Sequence, residues 1–230
     1  MSATRRRRSA GLALLLLGSA ALANQPAPWH NTATARLAAL ALTQTLNAEL
    51  LASTSATLTL ERWCHDHAMA EPALIVARKL PVAEPPAGPD LRQHLQVDAA
   101  ELLRFRRVEL RCGAHVLSVA DNWYVPARLT PEMNQRLDDG EAPFGKVVQP
   151  LRPHRETLGV TLLWSPMPEG WQTAAGKSGV TRASRGQLQI PPALFEHRAI
   201  VYTDAQRPVA EVHEVYQRGV LEFPEPRVRD

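Results

Sequence analysis

The chain has 230 residues, 45% of them hydrophobic and 21% charged, with a formal charge of +3 at pH 7, so one globular domain of ordinary size is expected. The positive charge is concentrated at the start: residues 1–23 hold four arginines and no acidic residue, and without them Lys+Arg falls from 26 to 22 against 23 Asp+Glu, a charge of −1. No basic patch for nucleic acid survives that subtraction, and no interleaving of aromatics with Lys/Arg suits a single-strand binder.

In chain order, Arg5 to Arg8 form a basic region, Gly11 to Leu17 an apolar one, and Ala21-Leu22-Ala23 a small-x-small cleavage site, the pattern of a signal peptide. This predicts a leader over 1–23, one mature domain over 24–230, and a periplasmic or secreted protein exported by the general or the twin-arginine route. The apolar run is too short to span a bilayer comfortably, so stable membrane insertion is not expected once the leader is gone. Asn24 to His30 reads as a flexible lead-in. Asn31 or Thr32 then caps a helix in which Leu37, Leu40, Leu46, Leu50 and Leu51 recur at helical spacing. Ser53, Thr54 and Ser55 break it, and a second helix carries Leu58, Leu60, Trp63 and Cys64 to about His67. Leu74 to Ala77 is a short strand, and Pro81 to Pro89, with four prolines and a glycine, is a loop.

The densest stretch runs from Arg106 to Val148. Arg107, Glu109 and Arg111 alternate with Val108, Leu110 and Cys112 before a turn at Gly113, and a second β-rich run continues through Trp123, Tyr124 and Val125 to Pro126, a hairpin signal. Thr130, Pro131 and Glu132 open a short helix that stops near Gly140, and Pro143-Phe144-Gly145 is a sharp turn. Leu158 to Trp164 is a further strand, Ser165 to Gly186 a long loop, and His197 to Thr203 with Val209 to Tyr216 a second hairpin. The tail from Phe223 is expected to fray. Helices first and hairpins after describe an α+β domain, an antiparallel sheet with helices packed on one face.

The order of these features resembles the chorismate pyruvate-lyase family: a strand ending in an arginine, three or four residues and a cysteine; a turn; a strand ending in Val-Pro; a short helix; and a P-[LF]-G turn. Arg107 lies five residues before Cys112, Phe144 falls where the lyases place a cavity leucine, and R-P-V-A-E-V-H-E-V-Y looks like their strand that carries a catalytic glutamate. The resemblance covers roughly Leu46 to Leu221. It implies a chorismate lyase-like fold and a cofactor-free, monomeric enzyme that eliminates pyruvate from chorismate to give 4-hydroxybenzoate. Arg107 would hold the substrate carboxylate and Glu214 would give the proton, with Glu211 as the alternative register. Ala56 stands where the lyases carry a cavity methionine, and Asn122 where many carry an arginine; both changes bear on which ligand fits. The second function the fold suggests is an exported binding protein for a small aromatic carboxylate.

The residues themselves allow plainer readings. Arg106 and Arg107 point to opposite sides of a strand, so one enters the layer between sheet and helices and the other meets solvent, where Glu109 or Glu211 could pair with it. Alternation puts Val212, Glu214 and Tyr216 on one side of the last strand; burial there would raise a carboxyl pKa, as a general acid needs. Cys64-His65-Asp66-His67 is not a metal box, because only Cys64 and His67 share a helix face and no second cluster exists; no metal is expected. Cys64 and Cys112 could form a disulfide in an oxidising compartment or pack as two separate thiols.

Overall fold

The computed structural model describes residues 29–173 and 186–226; the expected leader and its cleavage site lie outside them. Two helices come first, α1 (Ala33–Ala52) and α2 (Ala56–Asp66), then β1 (Ile75–Leu80), α3 (Pro89–His94), β2 (Arg104–Cys112) and β3 (His115–Tyr124). After α4 (Pro131–Asp138) and the one-turn α5 (Phe144–Val147) come β4 (His154–Leu162), β5 (Ala193–Tyr202) and β6 (Pro208–Gln217). The six strands form one antiparallel sheet in the order β1-β2-β3-β6-β5-β4. This is the α+β architecture expected, with α1, α2, α4 and α5 contributing to cores on one face. The six-residue α3, which falls in and just after the proline-rich stretch, rests on the opposite face, where His94 reaches Glu211.

Local chemistry sets the helix starts. The Thr32, Ser55 and Thr130 hydroxyls accept from the amides of Ala35, Leu58 and Met133, so each satisfies an orphan N–H of the helix it opens. On α1 the buried line is Ala35, Ala39, Thr43, Leu46 and Leu50. The expected Leu37 and Leu51 are instead 42% and 43% exposed. At 100° per residue Leu37 lies opposite the small residues Ala35 and Ala39, and those let the helix backbone approach the sheet. Gly113 holds φ +54° in the β2–β3 turn, and a Cβ there would come within 2.8 Å of Ala70, so glycine suits the position twice over.

Neither end of the described chain frays. Trp29, at the close of the expected flexible lead-in, and Phe223, at the start of the expected loose tail, are 2% and 5% exposed and meet edge to face at 5.8 Å. The Trp29 indole donates to the Phe223 carbonyl at 3.0 Å, and His67 stacks on Phe223 at 4.2 Å. Two aromatic rings bury enough surface to hold otherwise polar termini in place. Residues 163–173 begin the long loop without regular structure, and the rest of it up to 185 lies outside the described residues.

Cys64 and Cys112 are joined, tying α2 to the end of β2. The sequence separation is 48, and loop-closure entropy assigns about 4 kcal/mol to a link of that length. Urea unfolding of oxidised and reduced protein should differ by that order. Protein isolated without reductant and then denatured should titrate no free thiol; two thiols would exclude the bond.

Candidate functional site

The sheet surface under the helices is apolar at both ends and polar in the middle. In that middle lies a cavity whose walls are Val108, Ala120, Val201 and Val212 from the strands, Phe144 from α5, and residues 54–57 at the start of α2. Its volume is about 30 Å³, room for two or three waters at roughly 10–15 Å³ each. Gly145 closes one side: a Cβ there would come within 2.7 Å of the Thr57 hydroxyl and 2.9 Å of the Ser55 hydroxyl, so α5 seats against the α2 start only because that residue has no side chain.

Three polar residues border the cavity from the sheet: Asn122, Arg155 and Glu214. Arg155 on β4 donates from Nη2 to Glu214 Oε2 on β6 at 2.6 Å, and both side chains are 8% exposed. The Tyr216 hydroxyl donates to the same oxygen at 3.0 Å. Burial works against the Arg155 charge, but the Glu214 carboxylate outweighs it and the guanidinium pKa is raised. Burial, reinforced by Glu214, pushes the Tyr216 phenol well above its usual value. Beside them His197 shares an Nε2 hydrogen bond with Asn47 Oδ1 on α1 at 2.7 Å and meets the Tyr216 ring edge-on at 5.2 Å. Burial takes the His197 pKa down to about 4, with Glu214 opposing and Arg155 adding to the drop, so the ring is neutral at pH 7.

Of the expected site residues, the fold brings Glu214, Phe144 and Ala56 to this one cavity. Arg107 is elsewhere. Its side chain leaves the opposite face of the sheet, 39% exposed, and its Nε and Nη2 bind Asp121 at 2.5 and 2.6 Å. The arginine that enters the layer is Arg106, 2% exposed, which donates to the carbonyls of Ala142 and Gly140 and leaves Nε without a partner among the described residues. Burial lowers its pKa. Strand parity decides the matter: Arg106, Val108, Leu110 and Cys112 share the buried side of β2. The alternative glutamate, Glu211, also lies on the opposite face, bound by His94 at 2.7 Å and Arg198 at 2.8 Å.

Arg155, Tyr216 and His197 were not singled out by the sequence reading. Arg155 was missed because the strand starts at His154, four residues before the apolar run that announced it, and His154-Arg155-Glu156 reads as solvated polar sequence. Tyr216 was legible as sharing a face with Glu214. Cys64 is in the disulfide and His67 stacks on Trp63 and Phe223. Among the described residues no group of three His, Cys, Asp or Glu could hold a metal, and no helix is long and apolar enough to cross a membrane.

No family model matches the chain. It is 45% identical over 199 residues to the uncharacterized protein y4mC of Sinorhizobium fredii, spanning 86% of this chain and 83% of that one. Among solved structures it is similar to the ligand-binding domain of a putative GntR-family regulator from Bordetella bronchiseptica, with TM-score 0.38, 18% identity, and coverage of 62% and 82%. A second is PhnF from Mycobacterium smegmatis, with TM-score 0.42, 12% identity, and coverage of 68% and 64%.

The His197 environment sets a pH dependence. A folded value near 4 lies below the ordinary 6.5, so the unfolded chain takes up the proton first. The stability from keeping the ring neutral is complete above pH 6.5 and is lost as pH falls toward 4, by about 3 kcal/mol in all. Urea unfolding at pH 7 and at pH 4.5 should show a fall that is smaller in His197→Gln. Equal falls in the two proteins would mean that His197 titrates normally.

Proposed function

The chain belongs to the family of Sinorhizobium fredii y4mC, and on that premise we propose that its domain binds a small aromatic carboxylate in the cavity beneath Phe144. The carrying observation is the way Glu214 is held. Its Oε2 accepts from both Arg155 and Tyr216, which fixes the carboxylate as an acceptor and leaves Oε1 for a ligand's polar group. Arg106 takes the role first expected of Arg107: it is the buried cation one strand across from the cavity residue Asn122, and among the described residues its Nε is free and its partners are carbonyls. A guanidinium in that position prefers a carboxylate to a carbonyl, because the carboxylate brings an opposite charge and can take two parallel N–H groups at once. The cavity has the volume of a few waters and not of a ring, so entry displaces the one-turn α5, whose Lys146 is tied to Glu61.

We place the protein in an oxidising compartment. The leader pattern and the Cys64–Cys112 bond both support export, since disulfides persist where thiols are not kept reduced.

A lyase of the chorismate pyruvate-lyase type is the second reading. It is favoured by Glu214, Phe144 and Ala56 sharing one cavity, as the resemblance implies. In that reaction Glu214 would have to give a proton, whereas here the oxygen it engages accepts two hydrogen bonds. Calorimetric titration should find 4-hydroxybenzoate bound by the mature protein. Arg106→Met should weaken it by roughly 1.5–3 kcal/mol, the value of a hydrogen bond to a charged group, and Arg107→Met should not. Chorismate added to the wild type should give no pyruvate. Pyruvate release that disappears in Glu214→Gln would replace the binding reading with the lyase.

A further inference from the structure

Asn122 has no hydrogen-bond partner for its side chain among the described residues, although it is 4% exposed and borders the cavity. A primary amide carries two donors and an acceptor, and in the cavity lining these are left for a ligand's polar group to pair with. Its neighbours do not serve. On the buried side of β3 it is flanked by Ala120 and Tyr124, and across the sheet it faces Arg106 on β2 and Val212 on β6. Arg106 gives Nη1 and Nη2 to Ala142 and Gly140, and its remaining Nε–H makes no hydrogen bond to Asn122.

The charges around it narrow the ligand further. Of the residues lining the cavity, Arg155 and Glu214 are the charged ones, and they neutralise each other at 2.6 Å. Arg106 alone stands nearby without a carboxylate partner among the described residues. The surroundings therefore offer one uncompensated positive charge and, at Asn122, one uncharged hydrogen-bonding group. A second carboxylate on the ligand would be desolvated with no counter-charge, which is costly. A hydroxyl or carbonyl would pair with the amide at no such cost.

We propose that Asn122 is a specificity-determining residue that makes the cavity select aromatic monocarboxylates bearing a neutral polar group and reject dicarboxylates. This rests on the binding reading given above. It distinguishes a hydroxylated aromatic acid from chorismate, which carries two carboxylates.

Three probes share a ring and one carboxylate and differ in the second group: 3-hydroxybenzoate, benzoate and isophthalate. Calorimetry on the full mature protein should rank them in that order, with about tenfold between the first two, the size of one hydrogen bond. In Asn122→Leu the advantage of 3-hydroxybenzoate over benzoate should vanish. In Asn122→Arg isophthalate should gain at least about tenfold on benzoate, since the variant supplies the missing cation. Ratios within each variant are read, so a general loss of affinity does not imitate the effect. If benzoate binds and the ratios are the same in all three proteins, Asn122 does not select, while the binding reading stands. If the wild type prefers isophthalate, the charge balance proposed here is wrong. If the wild type binds none of the probes, both proposals fall together.

Discussion

The buried ion pair between Arg155 and Glu214 is the constraint on which the middle of the molecule depends. It joins β4 to β6 over the top of β5 and sits where a core of this size would otherwise be filled by aliphatic side chains. Such a pair is poor value as a source of stability: desolvating two ions offsets most of their attraction, and an apolar replacement of the same volume is often as stable. Once present, however, it dictates its surroundings. Either ion left alone would cost several kcal/mol, so Tyr216 turns its hydroxyl toward Glu214 and His197 stays neutral beside them, bonded to Asn47. Arg155, Glu214 and Tyr216 are thus one hydrogen-bonded group with His197 packed against it, and the cavity lies beside Arg155 and Glu214.

Strand parity explains which parts of the site could be read in advance. Val212, Glu214 and Tyr216 alternate without interruption, and β6 keeps one register against β3 from Ser118 to Tyr124, so the side of Glu214 followed from period two alone. The two adjacent arginines of β2 offered no such guide. Counting from Cys112 selected Arg107, but both Cys112 and Arg106 are buried and lie an even number of residues apart, which places Arg107 outside. A bulge between Leu110 and Arg111 in the pairing with β3 does not alter the parity of β2; it adds Leu117 to the facing strand, so that Leu117 and Ser118 are both buried. A spacing borrowed from a resemblance cannot detect a difference of one residue, and in a strand one residue is the whole difference between core and solvent.

Elements announced by local chemistry were legible: the Thr32 and Thr130 caps, the Gly113 turn, and the strands with β-branched runs. Those that depend on long-range packing were not. Trp29 and Phe223 are ordered by each other and by Trp63 and His67, none of them near in sequence to both. The six residues of α3 show no apolar period of their own; Leu95, just past its end, and Leu103 and Val125 from elsewhere make a small core on the far face. Leu37 and Leu51 are exposed because the partner surface selects the small side of α1, a choice hydrophobic spacing does not reveal.

The disulfide and the cavity are linked through α2. Its first residues, Ser55 to Thr57, form one wall, and Cys64 near its other end is bonded to Cys112 at the end of β2, the strand that supplies Val108 and Leu110 to the lining. That wall is therefore held covalently to the floor. The facing wall is α5, a single turn whose N-terminal Pro143 provides no side-chain cap and whose seat against α2 relies on the missing side chain of Gly145. On the binding reading proposed above, the second wall is the one that opens, and the Lys146–Glu61 pair is what pins it to α2. Phe144, at the start of that turn with its ring centroid 5.9 Å from that of Tyr124, is the side chain that this reading requires to move for the cavity to enlarge from the space of a few waters to that of a ring.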